Sequence, residues 1–148
     1  MKSLLLIPLL LLSVACGLAQ KKDAPVYSTK AGAIGGYDPV AYFIENKPVK
    51  GQAALSYDWH GVTWHFASAT HRDLFRQNPE KYAPQYGGWC AYGWSRGYPA
   101  KTEPDAWSIV GGRLYLNYNR DVRETWNEKQ AEYILKADQN YAKSHPDK

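Results

Sequence analysis

Cysteine is scarce in this chain, and so are long apolar runs and one-sided charge. There are two cysteines, Cys16 and Cys90, too few for the disulfide framework that staples small secreted scaffolds. The apolar run Leu4–Leu12 is broken by Pro8 and falls well short of the roughly 20 residues a transmembrane helix needs. Basic residues outnumber acidic ones by 18 to 14. That excess is small and scattered, with no cluster beyond Lys21-Lys22, so composition does not point to nucleic acid. A P-loop, a dinucleotide fingerprint and a Gly-x-Ser-x-Gly elbow are all missing. No two carboxylates stand at a spacing that reads as an acid–base pair, and there is no repeat or low-complexity segment. Nothing in this inventory demands an enzyme.

The amino terminus reads as a secretory signal. Lys2 supplies a short positive region, Leu4–Leu12 the apolar core, and Gly17-Leu18-Ala19 puts small residues at positions −3 and −1 of a cleavage after Ala19. A competing processing is lipidation of Cys16, because Leu12-Ser13-Val14-Ala15-Cys16 resembles a bacterial lipobox. Ser13 stands where that motif prefers Leu, Val or Ile, so plain export to the periplasm or medium is preferred over a lipid-anchored protein. Cleavage after Ala19 leaves Cys90 as the only thiol, with no cysteine to pair with inside the chain. The expected organisation is a signal over 1–19, a polar linker over 20–34, one domain over 35–141 and a polar tail over 142–148 containing His145.

Aromatic residues are abundant: six Trp and twelve Tyr against three Phe, a set that buries large areas while keeping polar tips. Most of them are expected in the core. Tyr57 and Trp59 alternate with Ser56, Asp58 and His60, and Val62, Trp64 and Phe66 alternate with Thr63 and His65. This spacing predicts a hairpin turning at His60-Gly61. Ser68 fits an N-cap for a short helix over 69–77, with His71 on the face of Leu74 and Phe75. Pro79 suits the first turn of a second short helix ending at Tyr82. Residues 89–96 form a weaker third helix ended by Gly97. Trp107–Val110 and Arg113–Tyr118 make a second hairpin around Gly111-Gly112, and 121–138 reads as one amphipathic helix. The expected fold class is α+β: a small single domain with two β-hairpins packed against three or four short helices.

Several of these pieces, in order, resemble the YHS domain, a small module associated with heavy-metal handling. They are Asp38-Pro39-Val40, the aromatic strand pair Tyr57–Gly61 and Trp64–Phe66, Ser68, and Phe75-Arg76-Gln77-Asn78-Pro79-Glu80-Lys81-Tyr82. Tyr86–Ala91 and Leu114–Asn119 look like parts of a longer exported bacterial group of such proteins. Where metal-associated members place cysteines, this chain has Ala41, Ala67 and His71, so the usual thiolate set is absent.

Three functions compete. The first, motivated by the resemblance together with the lone retained thiol, is a metal-binding module for copper or zinc, with Cys90 and His71 as the main ligands and His65 as a further donor. The helix start following Gly87-Gly88 is expected to lower the Cys90 pKa. The plain alternative is that Cys90 is a packed apolar residue, His71 is hydrogen-bonded to neighbours, and His65 and His60 are a solvated strand residue and a turn residue. The second function is a module that binds a small ligand or protein partner without metal, through an aromatic cleft of Trp59, Trp64, Trp89 and Tyr92. The third is a thiol-dependent enzyme built on Cys90, which needs a depressed pKa and a nearby base.

Overall fold

The computed structural model describes residues 24–146; the expected signal, the lipobox cysteine Cys16 and the last two residues lie outside it. Six short strands and six α-helices follow one another in an α+β arrangement. The strands are β1 (Ser28–Thr29), β2 (Gly32–Ala33), β3 (Gln52–Trp59), β4 (Val62–Phe66), β5 (Trp107–Val110) and β6 (Arg113–Leu116). They pair only with their sequence neighbours, giving three two-stranded antiparallel sheets. The helices are α1 (Ala41–Ile44), α2 (Ala69–Gln77), α3 (Pro79–Tyr82), α4 (Ala91–Ser95), α5 (Arg120–Asn127) and α6 (Gln130–Ser144). Among the described residues no helix is long and apolar enough to cross a membrane.

The two expected hairpins form where the alternation places them. His60 and Gly61 have φ of 52° and 73°, and Gly111 and Gly112 have φ of 58° and 75°. Both turns therefore carry two positive φ values, the condition of the turn whose twist matches its flanking strands. Tyr57 faces Trp64 and Trp59 faces Val62 across β3–β4. Trp59, Trp64 and Phe66 then all meet Phe75 of α2, with ring centroids 5.6, 5.1 and 5.2 Å apart. Ser68 caps α2 by accepting from the His71 N–H at 3.1 Å.

Strand β6 divides the interior. Leu114 and Leu116 point into a core with Val26, Ile34, Val40, Tyr42, Trp64, Phe66, Phe75 and Tyr82. Tyr115, between them, points the other way, toward Tyr86, Ala91, Trp94, Trp126 and Ala137. Period-two alternation on a strand covered on both faces thus supplies both cores.

Three expectations need correction. Residues 24–34, the described part of the expected linker, are packed: β1 and β2 pair, and Val26, Ala33 and Ile34 are buried. The apolar residues are too few and too widely spaced to show a period, and glycine makes the fit. Gly87 approaches Pro25 so closely that a Cβ there would stand 1.8 Å from the Pro25 carbonyl oxygen, while its own carbonyl accepts from the Tyr27 N–H at 2.9 Å. The C-terminal helix is two helices, α5 and α6, broken at Lys129 with φ −143° and ψ 47°. The second runs to Ser144, through the start of the expected tail. His145 stacks on Tyr141 at 4.1 Å rather than lying free. The α+β class stands as expected, with three hairpins and six α-helices among the described residues.

Candidate functional site

His71 enters the interior from the first turn of α2 and finds a carboxylate. Asp38 is fully buried. Its Oδ1 accepts from the N–H groups of Val40 and Ala41 at 2.8 and 3.2 Å, closing the turn ahead of α1. Its Oδ2 accepts from the Ala67 N–H at 2.8 Å and meets His71 Nδ1 at 2.6 Å. With the carboxylate as acceptor, the ring donates through Nδ1. Asp38 thus caps the turn that leads into α1. Its ties to Ala67 and His71 were not legible, because both partners lie about thirty residues away.

Cys90 sits elsewhere, at the N-cap of α4. Its Sγ accepts from the Gly93 N–H at 3.4 Å and donates to Asn117 Oδ1 at 3.6 Å. Asn117 Oδ1 also accepts from the Tyr92 N–H at 3.0 Å, which fixes the amide orientation, since a flipped NH₂ would face a donor. The thiol is therefore engaged as both donor and acceptor. Burial pushes its pKa up, against the smaller lowering effect of the Gly93, Tyr118 and Tyr92 N–H groups. The sequence expectation of a lowered value is overturned: the helix start is present, but desolvation of a side chain on a residue 1% exposed outweighs it.

His65 lies on the outer face of β4, half-buried. The β1–β2 hairpin covers that face so closely that a Cβ on Gly32 would stand 3.6 Å from the His65 ring. His60 is exposed in its turn and packs edge-on against Trp59 at 3.9 Å. Cys90, His71 and His65 thus each bond or pack with a different set of neighbours. Among the described residues no group of three or more His, Cys, Asp and Glu gathers to hold a metal ion. The donors present do not fit a copper or zinc centre.

The expected aromatic cleft is divided. Trp59 and Trp64 line a cleft of about 370 Å³ with Pro25, His60, Pro84 and Tyr141. Trp89 is used differently: its indole N–H donates to the Ala24 carbonyl at 2.8 Å and its ring packs on Tyr27. Tyr92 lines a separate cavity of about 270 Å³, walled also by Cys90, Gly93, Tyr98, Ala100, Tyr118 and Val122. Its wall is the thiol, three phenol rings and aliphatic groups. Tyr98 and Tyr118 are 49% and 38% exposed whereas Cys90 is buried, so the cavity joins a buried cysteine to accessible tyrosines. Gly93 shapes it, because a Cβ there would come within 2.8 Å of the Tyr98 carbonyl oxygen.

The family model for the YHS domain matches residues 40–86. Over that stretch the chain carries a YHS domain. The matched segment begins beside Asp38 and contains α1, β3–β4, α2 and α3, so it includes His71 and His65 but stops short of Cys90. No curated protein and no solved structure matches the chain. The cavity on Cys90 therefore lies outside the YHS segment, in the part of the chain that packs on its far side across β6.

Proposed function

We propose that this YHS-domain protein is an exported module that binds a small organic ligand, with no metal, in the cavity floored by Cys90. The observation that carries the reading is the composition of that cavity: a buried thiol, three tyrosines and aliphatic groups around about 270 Å³. Such a lining favours an apolar or planar guest, because burial against aromatic faces is worth about 25 cal/mol per Å² of apolar area and polar guests would lose hydrogen bonds to water. Titration of the full chain with benzyl alcohol, followed calorimetrically, tests it. Binding lost in Ala100→Leu, which fills the cavity from its wall, supports the reading; equal binding in parent and variant overturns it.

The family's association with metal supports a second reading, a copper or zinc module using Cys90, His71 and His65. Against it, the thiol and His71 Nδ1 are already hydrogen-bonded, and ligation by Cys90 would require deprotonating a thiol whose pKa is raised by burial. An anaerobic Cu(I) titration against a competing chelator decides between them. Tight one-to-one binding that disappears in Cys90→Ser would favour the metal. The thiol-enzyme reading has the same difficulty, since a nucleophilic cysteine needs its pKa lowered.

A further inference from the structure

Two cations pack on tyrosines of the Cys90 cavity, and among the described residues neither has an anionic partner. The Arg96 guanidinium lies 5.8 Å from the centroid of the Tyr92 ring, and the Lys101 ammonium lies 5.2 Å from that of Tyr118. Tyr92 and Tyr118 are both lining residues of the cavity. Among the described residues the ion pairs use Arg72, Arg76, Arg120, Lys136 and His71, and neither Arg96 nor Lys101. Each is held against an aromatic face in a contact worth about 0.5–1 kcal/mol at an exposed site. That contact holds the charge beside the cavity wall without neutralising it.

An apolar interior with two unpaired cations packed on its tyrosines selects a particular shape of guest. We propose that the cavity takes a small aryl or short-chain acyl carboxylate. Its hydrocarbon part lies among Tyr92, Tyr98 and Tyr118, and its carboxylate meets Arg96 and Lys101. The volume is just below the usual range of small-molecule sites, roughly 300–1,000 Å³, so the guest is of benzoate size rather than a long acyl chain. A cationic guest, which bare tyrosine faces would otherwise attract, is disfavoured because the two cations already at those rings repel it. This inference rests on the ligand-binding reading above and adds the charge of the ligand to it.

Calorimetric titration of the full chain with benzoate, benzyl alcohol and benzylammonium separates the two claims. We expect benzoate to bind at least about tenfold more tightly than benzyl alcohol, the worth of one charge-assisted contact, and benzylammonium to bind most weakly. The exposed double variant Arg96→Glu/Lys101→Glu should erase the benzoate preference while leaving benzyl alcohol bound. If benzyl alcohol or benzylammonium matches benzoate in the parent, or if the double variant keeps the preference, the carboxylate assignment is overturned and the cavity reading stands. If none of the three binds, or if Ala100→Leu binds all three as the parent does, both fall.

Discussion

Asp38 and Asn117 are both fully buried, and each gathers hydrogen bonds from backbone N–H groups and from one side chain of chemical interest. They differ in how completely they are satisfied. Asp38 accepts from three backbone N–H groups and His71, with both oxygens in use. Asn117 accepts from Tyr92 and Cys90, but among the described residues its Nδ2 has no hydrogen-bond partner. The other buried side-chain polar atoms without a partner among the described residues are the indole nitrogens of Trp94 and Trp126, both in the second core. A buried donor left unpaired costs about 1–3 kcal/mol. The half of the molecule holding His71 is thus built as a joint. The half holding Cys90 leaves three buried donors unpaired among the described residues.

The comparison can be broken first at its strongest point. Asp38→Ala orphans three N–H groups and an imidazole, and should lower stability by about 4 kcal/mol in urea denaturation. Asn117→Ala removes an acceptor for the Tyr92 N–H and the Cys90 thiol but also an unsatisfied donor. It should cost about 2 kcal/mol; a loss equal to that of Asp38→Ala would erase the distinction. Cys90→Ala should cost about 1 kcal/mol, and its effect should depend on pH. A folded-state pKa raised by burial contributes stability that is complete below the thiol's ordinary value of about 8.5 and is lost as pH rises through the folded value. The parent should therefore lose more stability than Cys90→Ala on going to alkaline pH, and its thiol should alkylate more slowly than a free cysteine near neutrality. Smallest of all, Trp94→Phe removes an unpaired indole N–H along with some packing, and should change stability by less than about 1 kcal/mol.

What the sequence made legible was local. The two glycine-bearing turns, the Ser68 cap and the Pro79 helix start each rest on a residue acting on its immediate neighbours, and each stands where the spacing puts it. The β1–β2 hairpin did not announce itself, because its strands are two residues long and its packing depends on Gly32 and Gly87 approaching residues far along the chain. The candidate site split along the same line. Cys90 drew notice as the lone thiol and His71 as an inward histidine, but their partners, Asn117 and Asp38, lie 27 and 33 residues away. No period connects such positions. Asn117 follows an alternating strand and looks like a polar strand end; only the fold turns its amide toward α4.

All three β-ladders close over two-residue turns between consecutive strands, and that has a kinetic consequence. Hairpins of this kind need little chain entropy to form and can precede the rest of the structure on the microsecond scale. The contacts that must wait are the long reaches, Tyr27 to Gly87 and Ala67 to Asp38. Changes at His60-Gly61 should therefore act mainly on the rate of folding, and changes at Gly87 on the rate at which the native chain comes apart.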